Sequence, residues 1–396
     1  MSIRRATLDD FEAISELERY AYDLPPDYME MSKERFPLNY DEHFLIEDNG
    51  RLVATTRLVN LEQNIRNVWK KMGGVSMVAT APEDRRRGNI RRLMMHMNAY
   101  MRDEGYATSV LYPFKDTFYA AFGYVNCPPM LRVVANPKHL KRWTLPPNYS
   151  VERMSFKDAL EHYKAIQTKL GETTHGATRR SSRRWDELSV SMKTQVAVVF
   201  GPDGNLEGLM IHRHKGYGDF YGDYDIGKMT VREWYWTNQD ARSALLNYVY
   251  LHADQILKVE IPVNPFSDDY YQWIEGRNVM ELKTGLCFMA RCIDVQRALE
   301  SLPAQESGEA TFQVEDPMCD WNNQTYHLEA KNGRLAVKSL GESKADTVLA
   351  IEGVSALVYG TMTLEELVPF GWVQGRRPTV FLDWFPRKYT WMYEQY

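Results

Sequence analysis

The chain is poor in the residues that build covalent or metal frameworks. Its four cysteines, Cys127, Cys287, Cys292 and Cys319, show no C-x-x-C spacing. Neither a disulfide scaffold nor a thiolate metal site is expected, and they read as buried, inert thiols. The nine histidines add no metal-ligand spacing. His212 and His214 stand two apart on a presumed strand without partners, so no metal is expected. No run of about 18 apolar residues occurs, which leaves no membrane span. The opening MSIRRATLDDFEA has no apolar centre and does not read as a secretory signal. A cytoplasmic protein is the expectation. The glycines form neither G-x-G-x-x-G nor G-x-x-x-x-G-K-S/T, which disfavours a dinucleotide fold or a P-loop. A net charge of −5 argues against general nucleic-acid binding and suits cationic small molecules.

What the chain does have is length and aromatics. At 396 residues, 44% of them hydrophobic, it calls for two or three cores. Ten tryptophans and 24 tyrosines suit large cores or an aromatic-lined pocket.

The stretch from Gly73 to Tyr124 organises the rest. Val75 to Thr80 is a β-branched, apolar strand. Ala81 to Gly88, reading APEDRRRG, is a turn. From Asn89 to Glu104, apolar residues recur at helical spacing: Ile90, Leu93, Met94, Met97 and Met101. A second strand follows at Ser109–Tyr112, then Phe118-Tyr119-x-x-Phe122-Gly123-Tyr124. A strand, an arginine–glycine turn and a helix N-terminus make an anion site. The first helical N–H groups, at Asn89 and Ile90, have no partner inside the helix, and the dipole favours negative charge there. Arg85, Arg86 and Arg87 add forked donors suited to phosphate, and Gly88 permits close approach. The expected ligand is a pyrophosphate.

Arg85-x-x-Gly88 resembles motif A of the GNAT acyltransferases, Gln/Arg-x-x-Gly-x-Gly/Ala, although Ile90 stands where a small residue is usual. The A-P-x-x-R-R-R-G turn, the later F-Y-x-x-F-G-Y and the aromatic C-terminal residue together resemble the Eis type of GNAT N-acetyltransferase along the whole chain. The resemblance implies an α/β (α+β) fold in three parts: a GNAT acetyltransferase domain over 1–150, a degenerate GNAT-like domain over 151–285 and a sterol-carrier-like domain over 286–396. It implies acetyl-CoA as co-substrate and a primary amine as acceptor, on an aminoglycoside, a polyamine or a lysine side chain. It also implies a homohexamer. In this pattern backbone groups of Val78, Ala79 and Thr80 hold the pantetheine arm, and the Val78 N–H meets the thioester carbonyl. Tyr119 returns a proton to the coenzyme thiolate; a phenol near pKa 10 is protonated at neutral pH. The α-carboxylate of Tyr396 takes the proton of the amine, with Glu394 the alternative base and Gln395 an acceptor contact. A contrasting reading is a coenzyme A or acyl-lipid binding module without chemistry.

Elsewhere, Glu42–Asn60 reads as a hairpin turning at Asn49-Gly50. Gln195–Val263 echoes the strand and helix order of residues 42–112, with one arginine and no glycine in the corresponding turn. Arg179-Arg180-Ser181-Ser182-Arg183-Arg184 reads as a solvated, charged face. Thr325–Leu340 reads as a hairpin turning at Asn332-Gly333.

Overall fold

Two tight turns shape the first sheet. Asn49 and Gly50 have φ of 51° and 76°, and Arg66 and Asn67 have φ of 52° and 64°. Paired positive φ values give the turn whose twist matches a hairpin. They join β2 (His43–Asp48) to β3 (Arg51–Ile65) and β3 to β4 (Val68–Thr80). The first hairpin was legible in its Asn-Gly pair. The second was not, because Arg66 is an unusual residue at positive φ. The computed structural model describes residues 2–396 apart from 142, 193, 216–226, 265–268 and 277–278.

The described residues form two compact units. The first comprises 1–128, 174–191 and 287–396. Its eight-stranded sheet has β1 (Ser2–Arg5) at one edge, followed by β2, β3, β4 and β5 (Thr108–Leu111). Next to β5 comes Met289–Cys292, then Val125–Asn126, and Thr178–Arg180 pairs with β3. β4 and β5 are parallel, and the other pairs are antiparallel. Helices α1 (Phe11–Tyr22), α2 (Tyr28–Lys33), α3 (Asn89–Asp103) and α4 (Asp116–Ala120) belong to this unit, as does α5 (Ser182–Ser191). Leu93, Met94, Met97 and Met101 of α3 pack with Phe44, Leu58 and Val75 in one apolar cluster, as the helical spacing expects.

Residues 309–375 add a five-stranded sheet to the same unit, in the order Arg334–Ser339, Thr325–Lys331, Glu309–Glu315, Thr347–Ala350, Val373–Gly375. Its hairpin turns at Asn332-Gly333, with φ of 52° and 75°.

The second unit, 129–173 and 192–286, holds a seven-stranded sheet. Lys228–Trp236 and Lys258–Val263 are its parallel pair, joined through the helix Gln239–Tyr250. This is the strand–helix–strand order of β4, α3 and β5, as the internal echo expects. The helix starts differ. Asn238 caps its helix by accepting a bond from the Ala241 N–H, whereas Gly88 starts α3 with no side-chain cap. Leu131–Ala135 pairs in this second sheet, while 174–191 lies in the first unit.

Among the described residues, no helix is long and apolar enough to cross a membrane.

Candidate active site

The pairing of β4 with β5 stops at Val75 and Leu111, while β4 runs on to Thr80. Beyond that point β4 has no β5 neighbour. It also leaves its other neighbour briefly. Thr55 pairs with Ala79 and Arg57 with Ser76, so Met77 and Val78 together stand opposite Thr56. That two-against-one count is a β-bulge, and it holds Met77 at the strained φ of 50°. A bulge takes backbone groups out of the ladder. The freed Val78 carbonyl accepts a hydrogen bond from the Tyr22 hydroxyl at 3.0 Å.

A cavity of about 650 Å³ opens here. It brings together Val78, Ala79, Thr80, Arg85, Arg86, Gly88, Asn89 and Ile90 from the sequence reading. Arg86 and Gly88 have φ of 61° and 76°, which curls the turn around the start of α3. A Cβ on Gly88 would meet nothing within 4 Å; glycine is needed there for its φ. Arg85 Nε donates to the Thr80 carbonyl at 3.3 Å. Thr80 Oγ1 and Asn89 Oδ1 are buried without a hydrogen-bond partner among the described residues.

Arg87 does not line the cavity. Its guanidinium pairs at 2.9 Å with Asp84, a buried carboxylate that also pairs with Arg51. Arg87 therefore braces the turn. Asp84 holds it from the other side, because its carbonyl accepts from Asn89 Nδ2 at 3.1 Å.

The opposite wall is aromatic: Phe114, Phe118 and Phe122, with Tyr22 and Ala21 from α1. Tyr119 is not itself a lining residue. Its ring packs edge-on against Phe114 and Phe118, at 5.6 and 5.0 Å between centroids. Its hydroxyl forms no hydrogen bond among the described residues, and burial, then Tyr22 and Tyr124, push its pKa above the usual tyrosine value. Tyr124 differs: its hydroxyl shares a 2.7 Å hydrogen bond with Ser109 Oγ.

Tyr396 reaches the place where β4 and β5 part. Its hydroxyl donates to the Val110 carbonyl at 2.9 Å. Its ring lies on the Gly74 backbone, where a Cβ would come within 2.6 Å of Tyr396 Cζ. The ring also meets Tyr112 edge-on at 6.0 Å. Glu394 is 1% exposed and ion-paired with both Arg180 and Arg184. Burial alone would raise its pKa, but the two arginines more than offset that and hold it below the ordinary glutamate value.

That pairing corrects the reading of Arg179–Arg184 as a solvated face. Arg179 and Arg183 do face outward, to Glu62 and Asp41. Arg180 and Arg184 are each only 7% exposed. No sequence period separates the two sets, because a strand ends and a helix begins within the run. Tyr22, Arg91 and Phe114 are further cavity residues that the motifs did not single out, whereas Phe118 and Phe122 belong to the F-Y-x-x-F-G-Y segment. Gly74 carried a signal: glycine inside a strand marks a close approach.

Comparison with known proteins agrees with this geometry. Residues 2–126 match a family model described as acetyltransferase (GNAT) domain, and 176–286 match a second model of the same description. Residues 295–393 match a sterol carrier protein domain. An uncharacterised N-acetyltransferase of Streptomyces avermitilis is 23% identical over 316 residues, 77% of this chain and 76% of that protein. N-acetyltransferase Eis of Mycobacterium tuberculosis is 24% identical over 198 residues, 48% of each chain. Among solved structures, a GCN5-related N-acetyltransferase from Anabaena variabilis aligns with a TM-score of 0.86 at 18% identity, covering 99% of both chains. Eis1 from Mycobacterium abscessus aligns with a TM-score of 0.78 at 14% identity over the full length of both.

With a bulged β4 that runs on past the end of β5 and an uncapped helix start on an arginine turn, the chain is an acetyltransferase of the GNAT class, with a second GNAT-like domain and a C-terminal sterol-carrier domain. Within that class the chain is Eis-like: it resembles N-acetyltransferase Eis in sequence and Eis1 in fold.

Proposed function

We propose that the protein transfers the acetyl group of acetyl-CoA directly to a primary amine in a ternary complex. One observation carries the proposal: Arg85, Arg86 and the uncapped start of α3 share a cavity with the β4 bulge. The residues suit the co-substrate. Two guanidiniums and free helix N–H groups match a pyrophosphate. The unpartnered Thr80 Oγ1 and Asn89 Oδ1 offer acceptors for polar groups of its arm. Arg87 serves indirectly, by keeping Asp84 and the turn in place.

The co-substrate supplies an activated acetyl thioester, and the chain's residues do the rest. The Val78 N–H, in the β4 bulge, polarises the carbonyl. The carboxylate of Tyr396 takes one proton from the attacking amine. As the C–N bond forms and the C–S bond breaks, Tyr119 gives its proton to the leaving sulfur. Its raised pKa keeps it protonated until then. Glu394 suits the base role poorly, because two arginines stabilise its charged form.

Acceptors of the cationic class are the ones a carboxylate base at Tyr396 would favour: polyamines, aminoglycosides and lysine side chains. We further propose a cytoplasmic location, assembly as a homohexamer, and a division into sequence domains at 1–150, 151–285 and 286–396. The test is acetyl-CoA turnover with spermidine, kanamycin A and Nα-acetyl-lysine amide. Acetylated product from at least one amine is expected. Acetyl-CoA binding with no product from any of them would return the chain to the binding-module reading.

A further inference from the structure

The buried half of the arginine run has no part in the chemistry above, yet it closes on Glu394 and Gln395, next to the last residue. Arg184 Nε donates to Glu394 at 2.9 Å and its Nη2 to the Gln395 carbonyl at 2.7 Å. Its Nη1 pairs with Glu187 at 2.8 Å. Glu187 in turn pairs with Arg57 at 2.6 Å, and Arg57 with Glu42 at 2.6 Å. Arg180 closes the other side of Glu394. The chain Glu42–Arg57–Glu187–Arg184–Glu394–Arg180 thus alternates in sign and carries no net charge. The Tyr112 hydroxyl adds a 2.7 Å bond to the Glu394 carbonyl.

Burying six charges is a poor way to gain stability, since apolar residues of the same shape often do as well. Removing one member is costly, because its partners remain charged and buried. Such a network suits fixing a geometry. Each planar fork accepts one arrangement of its partners, which a point charge on lysine would not enforce. What it fixes here is backbone: residues 394 and 395 are gripped by side chain and by carbonyl. The next residue, Tyr396, is seated on Gly74 and Val110.

We propose that Arg184, aided by Arg180, is the positioning residue for the base of the reaction. The inference rests on the proposed role of the Tyr396 carboxylate. Arg184 touches no substrate. It acts by holding Glu394 and Gln395, so that the group beyond them stays where β4 and β5 separate.

The test uses the full chain with Arg184→Ala and Arg184→Lys, alone and combined with one glycine added after Tyr396. The first readout needs no substrate: hydrogen exchange of the amides of residues 391–396. In Arg184→Ala these amides are expected to exchange about 10- to 100-fold faster, the loss of one charge-assisted contact, while α3 amides are unchanged. Arg184→Lys, which keeps the charge, should fall between, and it serves if the alanine variant does not fold. The second readout is kcat for the panel amine turned over fastest. A misplacement of about 1 Å can cost 10²-fold, so kcat should fall about that far with acetyl-CoA affinity kept. In the glycine-extended chain, where the carboxylate is already displaced, Arg184→Ala should add little, since the two changes strike one element.

Parent-like exchange at 391–396, or an equal loss of kcat in both backgrounds, overturns the inference. Faster exchange together with a glycine extension that leaves turnover untouched separates the two roles. The grip of Arg184 on the chain end then stands, and the terminal carboxylate is not the base.

Discussion

Neighbouring arginines of one turn divide the work. Arg85 and Arg86 line the cavity, while Arg87 is taken up by Asp84. Arg85→Ala and Arg86→Ala should each weaken acetyl-CoA binding by about 1.5–3 kcal/mol, the scale of a charge-assisted contact. Arg87→Ala should leave the affinity near the parent value. Calorimetric titration with acetyl-CoA separates them, and three equal losses would mean that Arg87 also reaches the ligand. The motif made all three look alike, because it records residue type and not which carboxylate lies within reach. Tyr119→Phe should lower kcat roughly 10²- to 10⁴-fold if Tyr119 is the general acid. The sign of its pKa shift sets the pH test. A raised pKa keeps the phenol protonated, so an alkaline loss of kcat should begin only above about pH 10. A Tyr119-dependent limb near neutrality would contradict this. Gly74→Ala would drive a Cβ into the Tyr396 ring. Such overpacking costs about 1–3 kcal/mol, read as a lowered melting temperature, and turnover should fall with it.

At the scale of elements, the strand–turn–helix around Gly88 was legible because its signals are local: β-branched residues, an arginine–glycine turn, a helical apolar period. The bulge at Met77–Val78 was not. Neither residue announces it, and it shows only once β3 supplies a register. The closing segment TWMYEQY is too rich in aromatics for a disordered tail, so its order is legible. Its anchors lie more than two hundred residues away in sequence, and the charges of Arg180 and Arg184 pointed to solvent until Glu394 was beside them. This pairing has a pH consequence. The folded state holds Glu394 below its unfolded pKa of about 4.3. Its contribution to docking is therefore complete above that value and is lost as pH falls through the folded pKa. Hydrogen exchange at 391–396 should accelerate below about pH 4 in the parent. In Glu394→Gln it should be fast already at neutral pH. Equal protection in the two proteins would remove the ion pairs from the account.

The whole molecule interleaves what the sequence sets out in line. Met289–Cys292 completes the sheet of the first unit beside β5, and Arg291 reaches the Phe122 carbonyl while buried against Asp316 at 2.6 Å. The C-terminal part thus braces the turn after Tyr119 and also supplies Tyr396. Long-range pairing of this kind leaves no periodicity to read. A fragment of residues 1–150 would leave β5 open and Leu131–Ala135 without its sheet. It should show no cooperative thermal transition by circular dichroism, whereas a sharp transition would make it an independent domain. The central claim is acetyl transfer to an amine with proton return by Tyr119. It is tested most directly by measuring coenzyme A thiol release and acetylated amine together, in the parent and in Tyr119→Phe. The account expects equal molar amounts of the two products from the parent, and a variant slowed by at least about 10² while still binding acetyl-CoA. Thiol release without acetylated amine, or a variant as fast as the parent, would contradict it.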